Sequence, residues 1–169
     1  MEDPYRISFE AFCDRLGAPR PAASLVGDRY YIEGSDLQGF TTGEQRKPYM
    51  RGLSLGMKTP QGFVPSPALL GILATESKHK AFVHDEHVER LFLCGRDLFA
   101  DKFTTTITEG LVLVQNARDE NLGVGEVVRG EKGLHIRNIL DRGNYLRHDR
   151  VQLAPKTARR KTVGRRQKF

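Results

Sequence analysis

The chain has 169 residues, 38% of them hydrophobic, which is enough for one large domain or two small ones with a buried core. Its net charge of +6 at pH 7 and isoelectric point of about 9.5 favour a nucleic-acid partner. Two isolated cysteines, Cys13 and Cys94, exclude a CxxC zinc pair and a disulfide framework. The sequence shows neither a signal-peptide pattern nor an apolar run of membrane-spanning length, so we expect a cytoplasmic protein.

The first predicted element is an amphipathic helix over residues 8–16. Its apolar residues recur at i, i+3, i+4 and i+7, the spacing of one helix face: Phe9, Phe12, Cys13 and Leu16. Ser8 suits the N-cap, and Gly17 suits the end of the helix. A strand follows at 29–33, and then a loop rich in glycine and threonine at 39–44.

Residues 51–57 read as a further strand, in which Gly56 marks a bulge or turn, and Pro60-Gln61-Gly62 predicts a turn after it. Ser66 at the N-cap and Pro67 at the first helical position predict that a helix begins there, since the N–H that proline lacks would be unpaired anyway. The whole chain is predicted to be α+β, and residues 1–78 are predicted to form a small α+β domain.

The second half is dominated by short strands. A strand at 80–83 is followed by a short helix that Asp85 caps, and three more strands are predicted at 110–115, 122–128 and 134–139. A loop at 116–121 and a turn at 129–133 separate these last strands. Short strands at this spacing, broken by glycine-rich turns, predict a small barrel over residues 79–153.

This second half resembles a PUA domain, the small pseudo-barrel that binds RNA in many RNA-modifying enzymes. Leu93-Cys94-Gly95-Arg96-Asp97-Leu98 is similar to the glycine turn of that module, and the segments Gly110–Val114 and Leu122–Val127 are similar to its central hairpin. Asp141-Arg142-Gly143-x-Tyr145-Leu146-Arg147 is similar to its closing segment. The resemblance implies a β pseudo-barrel that binds RNA.

Residues 48–150 also resemble two longer arrangements. Arg51-Gly52-Leu53-x-Leu55-Gly56 and Phe63-x-Pro65-Ser66 are similar to the C-terminal extension of the NOL/NOP/Sun family of RNA cytosine-5 methyltransferases. The same layout resembles the small ribosome-biogenesis factors that join an α/β domain to a PUA domain. Both resemblances imply rRNA or tRNA as the partner. The methyltransferase family keeps its catalytic cysteines in a cofactor-binding domain that has no counterpart in this sequence, so no catalytic role is expected for Cys13 or Cys94.

Basic residues late in the barrel are candidate RNA contacts. If the last strand alternates, His135 and Arg137 share one face while Leu134 and Ile136 point inward. With Tyr145 as a stacking residue, the set is Arg129, Lys132, His135, Arg137, Arg142, Tyr145, Arg147 and Arg150. A solvated barrel face is the alternative. The resemblance adds Arg96, next to a glycine that would let the backbone approach RNA, although Gly95 could equally be a simple helix end.

The final residues carry the excess charge. Residues 156–169 hold seven basic residues and no acidic one, whereas the rest of the chain holds 20 basic and 21 acidic residues. Without an apolar face, residues 154–169 are predicted to be a disordered tail whose cations bind RNA phosphates, although a purely solubilising tail is the alternative. The candidate contacts are Lys156, Arg159, Arg160, Lys161, Arg165 and Arg166.

No motif in the sequence predicts a catalytic or metal-binding site. The run His84-Asp85-Glu86-His87 invites a metal site, but a capping aspartate among surface histidines is the better interpretation. No P-loop, dinucleotide fingerprint or nucleophile elbow is present in the sequence, so we expect neither a cofactor nor a metal. The resulting hypothesis is a non-catalytic RNA-binding protein acting in ribosome biogenesis or RNA modification. The alternative is an adaptor that docks an RNA methyltransferase or a ribosome-assembly factor.

Overall fold

The computed structural model describes residues 7–34, 52–131 and 133–144. These residues form helices packed on a four-stranded and a six-stranded sheet, which confirms the α+β class. The six-stranded sheet is curled into the half-barrel of a PUA-like fold. The predicted loop at 39–44 and the predicted tail at 154–169 lie outside the described residues. No helix within the described ranges has the length and apolar character needed to cross a membrane.

The first half supplies two helices and the smaller sheet. In chain order these elements are α1 (Phe9–Arg15), β1 (Ser24–Val26), β2 (Arg29–Ile32), β3 (Leu53–Thr59), β4 (Gly62–Pro65) and α2 (Pro67–Glu76). The four strands pair antiparallel in chain order. Both predicted helix starts are confirmed, because the hydroxyl of Ser8 accepts from the Ala11 amide and that of Ser66 from the Leu69 amide, each at 3.2 Å. The predicted bulge is confirmed as a register shift beside Gly56.

The second half forms the larger sheet and one helix. Its elements are β5 (Lys80–Val83), α3 (Glu86–Leu93), β6 (Leu98–Phe99), a single 3-10 turn (Ala100–Lys102), β7 (Thr104–Thr105), β8 (Gly110–Asn116), β9 (Asn121–Gly130) and β10 (Gly133–Asp141). The strand order is β6-β10-β9-β8-β5-β7, so β6 and β7 are the edges. Strands β5 and β8 pair in parallel, and the other pairs are antiparallel.

Two expectations about strands differ from the structure. The predicted turn at 129–133 is shorter, because Arg129 pairs with Leu134 and Gly130 with Gly133, which extends both strands of the hairpin. Strands β1, β4, β6 and β7 were not predicted. Each is two to four residues long, which gives alternation little room to show, and each is hydrogen-bonded to a longer neighbouring strand.

The larger sheet is buried on both faces at its centre. Leu111 and Leu113 of β8 lie in a cluster with α1, α2 and the smaller sheet, here called the first core. Val112 and Val114 lie in a cluster with α3, here called the second core. Burial on both faces explains why β8 is apolar at consecutive positions. Residues of both halves share the first core, and the division into domains at residue 78 stays a prediction.

One buried polar side chain in β8 should be costly. Gln115 is fully buried, and neither its Nε2 nor its Oε1 has a hydrogen-bond partner among the described residues. An unpaired buried polar group costs about 1–3 kcal/mol. We therefore expect Gln115→Met, which keeps the side-chain length, to raise the free energy of unfolding by about 1 kcal/mol in urea denaturation. Gln61→Met in the exposed turn before β4 should leave it unchanged, and a destabilised Gln115→Met protein would contradict the prediction.

Candidate nucleic-acid interface

Helix α3 begins at a well-formed cap. Asp85 Oδ1 accepts hydrogen bonds from the backbone amides of His87 at 2.7 Å and Val88 at 3.2 Å. These amides, that of His87 first, hold the pKa of the Asp85 carboxyl below its usual range. The interpretation of Asp85 as a helix cap is confirmed. Within the described ranges, no three His, Cys, Asp or Glu side chains are grouped closely enough to hold a metal ion.

The glycine turn after α3 is a rigid support for Arg96. Gly95, at φ +85°, donates its amide to the Phe92 carbonyl at 2.9 Å, and the Arg96 amide donates to the Leu91 carbonyl at 3.1 Å, the Schellman pattern of a helix end. Asn138 of β10 ties this turn to the sheet through its side-chain amide, which donates to the Phe92 carbonyl at 2.8 Å. The Arg96 side chain is exposed. Contact between Arg96 and RNA stays a prediction.

The last strand alternates as predicted. Ile136 is fully buried in the second core and Leu134 packs against that core, while His135 and Arg137 lie on the opposite face. The guanidinium of Arg137 forms an ion pair with the Glu126 carboxylate across the ladder, and the two side chains are 33% and 25% exposed. The charge of Arg137 is therefore largely compensated, and half-buried His135 is the candidate on this face that has no ion pair with any of the described residues.

Two further predicted residues that the structure describes, Arg129 and Arg142, do not share a surface with His135. Arg129 is exposed but is in register with Leu134, so it lies on the other face of the sheet. Arg142 donates to the Pro67 carbonyl at 3.2 Å and thereby lies against the start of α2. Other predicted contacts lie outside the described residues, namely Lys132, Tyr145, Arg147, Arg150, Lys156, Arg159, Arg160, Lys161, Arg165 and Arg166.

Sequence reasoning missed Phe99. This residue lies in edge strand β6, is 60% exposed, and is in register with His135. The two ring centroids are 6.4 Å apart. An exposed aromatic ring beside a histidine is a platform on which a nucleic-acid base can stack. A strand at Leu98 and Phe99, with Leu98 buried and Phe99 exposed, would have predicted this position. Two residues are too few for such alternation to be recognised in the sequence.

The two cysteines differ sharply in environment. Cys13 is fully buried in α1, and this burial raises the pKa of its thiol to about 11. Since the thiolate is the reactive form, Cys13 is inert near neutral pH. Cys94 is exposed at the end of α3.

Comparisons with known proteins agree with this geometry. Residues 80–150 match the family described as the UPF0113 PUA domain. A UPF0113 protein from Archaeoglobus fulgidus is 33% identical over 93 residues, an alignment covering 48% of this chain and 53% of that protein. The match thus spans about half the length of that relative. A conserved PUA-domain protein from Thermoplasma acidophilum shares the fold, with a TM-score of 0.51 and 18% identity over 82% of this chain and 89% of the other. Residues 80–150 of this chain are therefore similar in sequence to the UPF0113 PUA domain, and the chain shares its fold with a PUA-domain protein.

Proposed function

We propose that this protein binds structured RNA through its PUA domain and its basic C-terminal segment, without catalysing a reaction. The observation that carries the proposal is the match of residues 80–150 to a PUA domain, with the exposed ring of Phe99 beside half-buried His135 at one edge of the large sheet. The resemblance to the methyltransferase extension and to the ribosome-biogenesis factors supports rRNA as the target, with tRNA second, in ribosome assembly or RNA modification.

The two parts of this interface would have different tasks. Arg96 and the Phe99–His135 pair are held by the fold, the first by a capped helix end and the second by strand pairing. Fixed groups of this kind select the shape and the unpaired bases of an RNA. Residues 156–169 add charge without such placement and would raise the affinity for any RNA. Because its charge is paired with the Glu126 carboxylate, Arg137 would contribute less to RNA binding than the other residues.

Direct binding measurements test the proposal. The full chain should bind a structured rRNA fragment at low salt in a fluorescence anisotropy titration, and more tightly than duplex DNA of equal length. Absence of RNA binding at low salt would reject the proposal. A protein partner that stays bound after nuclease treatment would instead support the adaptor function. Crosslinking in cells, followed by sequencing of the attached RNA, would identify the target site and the contacting residues together.

Substitution of Phe99 tests the proposed stacking platform. Phe99→Ala should weaken binding of an RNA that contains unpaired bases by about 1–3 kcal/mol, roughly 5- to 100-fold. Phe99 is 60% exposed, so the fold should be retained. Leu25→Ala, at a 50% exposed apolar residue of the smaller sheet, is the matched control and should bind like the unaltered protein. Equal affinities of the two variants would show that Phe99 does not contact RNA.

A further inference from the structure

A groove of about 550 Å³ lies at the β7 edge of the large sheet, whereas Phe99 lies in β6, the other edge strand. Strands β5 and β7 form it together with the segment after α2, and its lining consists of Ser77, Lys78, Lys80, Phe82 and Thr104–Thr106. It therefore combines two lysines, one aromatic ring and several hydroxyl groups, and no acidic side chain is among its described lining residues. None of these residues belongs to the interface described above.

The two lysines differ in their freedom. Lys80 Nζ lies 3.0 Å from Asp119 Oδ2, and its side chain is only 16% exposed, so it is held in place and its charge is partly compensated. Lys78 is exposed and has no ion pair with any residue in the described ranges. Lys78 thus places at the groove a positive charge that no described residue neutralises in an ion pair, and a phosphate would be favoured there.

The aromatic part of the groove is positioned by strand alternation. Ala81 and Val83 are buried in the second core, so Phe82 points to the other face beside Lys80. Its ring lies nearly parallel to that of His84, with centroids 6.5 Å apart and an interplanar angle of 14°. Nε2 of His84 lies 3.2 Å from the Thr104 hydroxyl, which sits in register with Phe82 on β7. This hydrogen bond positions the His84 ring beside that of Phe82.

The groove and the Phe99–His135 pair lie on the same face of the large sheet. Residues in register on neighbouring strands point to the same face of a sheet. Lys80 is in register with Leu113, which lies in the first core. Arg137, on the same face as His135, is in register with Glu126, which pairs with Leu111 of that core. Helices α1 and α2 and the smaller sheet cover the centre of that face, and Lys78 and Phe99 are exposed toward its two edges. One bound RNA would have to reach the groove with a segment distinct from the one on Phe99.

We propose that the β5–β7 groove binds a single-stranded RNA segment that flanks the structured element. Lys78 would contact a phosphate of this segment, and the Phe82–His84 ring pair would accept a base. Bases inside a duplex are stacked and cannot reach a protein ring, whereas a single strand offers both an open base face and its backbone. This inference rests on the proposed RNA-binding function.

The test compares three RNAs that share one hairpin. The first is the hairpin alone, the second carries a single-stranded extension, and the third carries the same extension paired to a complementary strand. The extension has about eight nucleotides, a length within the site size of single-strand-binding folds. The unaltered full chain should bind the single-stranded extension more tightly than the other two RNAs. Phe82→Ala should lose that gain, about 5- to 100-fold, and should bind the plain hairpin normally.

Phe82→Ala could weaken binding through a folding defect. Lys78→Glu is therefore a second variant, at an exposed position where the fold should be retained. It should also reduce the gain from the extension, whereas Lys58→Glu, an equal charge change on the smaller sheet, should not. If the hairpin binds but the extension adds nothing, or a paired extension adds as much, the groove proposal is overturned and the proposed function stands. If none of the three RNAs binds, the proposed function itself is rejected.

Discussion

Removal of the charge of residues 156–169 is expected to weaken RNA binding at low salt by about 100-fold or more. The segment holds seven basic residues and no acidic one. Each phosphate neutralised by a protein cation releases counterions, which contributes about 0.7–0.9 to the slope of log affinity against log salt. If all seven cations contact RNA, the slope should therefore flatten by about five or six units.

The experiment needs variants that separate charge from length. One protein would carry Gln at the seven basic positions of residues 156–169, and a second would carry the same residues in a scrambled order. Binding titrations at several salt concentrations should show a flatter slope for the Gln protein and an unchanged slope for the scrambled one, because counterion release depends on charge and not on sequence. An unchanged slope for the Gln protein would support the solubilising alternative for the tail.

Gly123→Ala is expected to destabilise the protein by about 3 kcal/mol or more. Gly123 adopts φ +153°, a conformation that side-chain-bearing residues rarely take. A Cβ atom there would lie 2.1 Å from the Leu140 carbonyl oxygen and 2.8 Å from the Asp141 Cα on the paired strand β10. Both neighbours are backbone atoms, so the clash can be relieved only by separating β9 from β10.

Thermal or urea unfolding measures this effect. For a chain of this size, 3 kcal/mol corresponds to a fall in Tm of about 6–12 °C. Gly34→Ala is the matched control, since a Cβ at Gly34 would meet no atom of the described residues within 4 Å, and its Tm should stay near that of the unaltered protein. A loss below about 1 kcal/mol for Gly123→Ala would show that the hairpin can adjust and that the glycine is not required there.

Local signals in the sequence were sufficient for the helices and the longer strands. Ser8, Ser66 and Asp85 each cap a helix as predicted, because a capping side chain bonds amides only two or three residues away. Strand β5 was predicted with its observed bounds, 80–83. Interactions between residues a few positions apart can be predicted from the local sequence. The PUA resemblance, which depended on the order of such segments, is confirmed for residues 80–150.

The candidate site could be predicted only in part from the sequence. Alternation correctly assigned His135 and Ile136 to opposite faces of β10. Alternation could not show that Arg129 and His135 lie on opposite faces of the sheet, because this depends on the register of the hairpin between β9 and β10. It could not show that Glu126 pairs with Arg137 or that Arg142 contacts the Pro67 carbonyl, which is 75 positions away in the chain.

By itself, the sequence determined the helix caps, the main strands, the apolar faces and the concentration of charge in residues 156–169, because these depend on composition and on neighbours a few positions apart. Only the tertiary structure decided which residues meet. Short edge strands β6 and β7 exist through pairing with distant strands, and with them come the Phe99–His135 pair and the groove beside Phe82. Both surfaces depend on strand register, which long-range backbone hydrogen bonds and burial of the shared sheet set together.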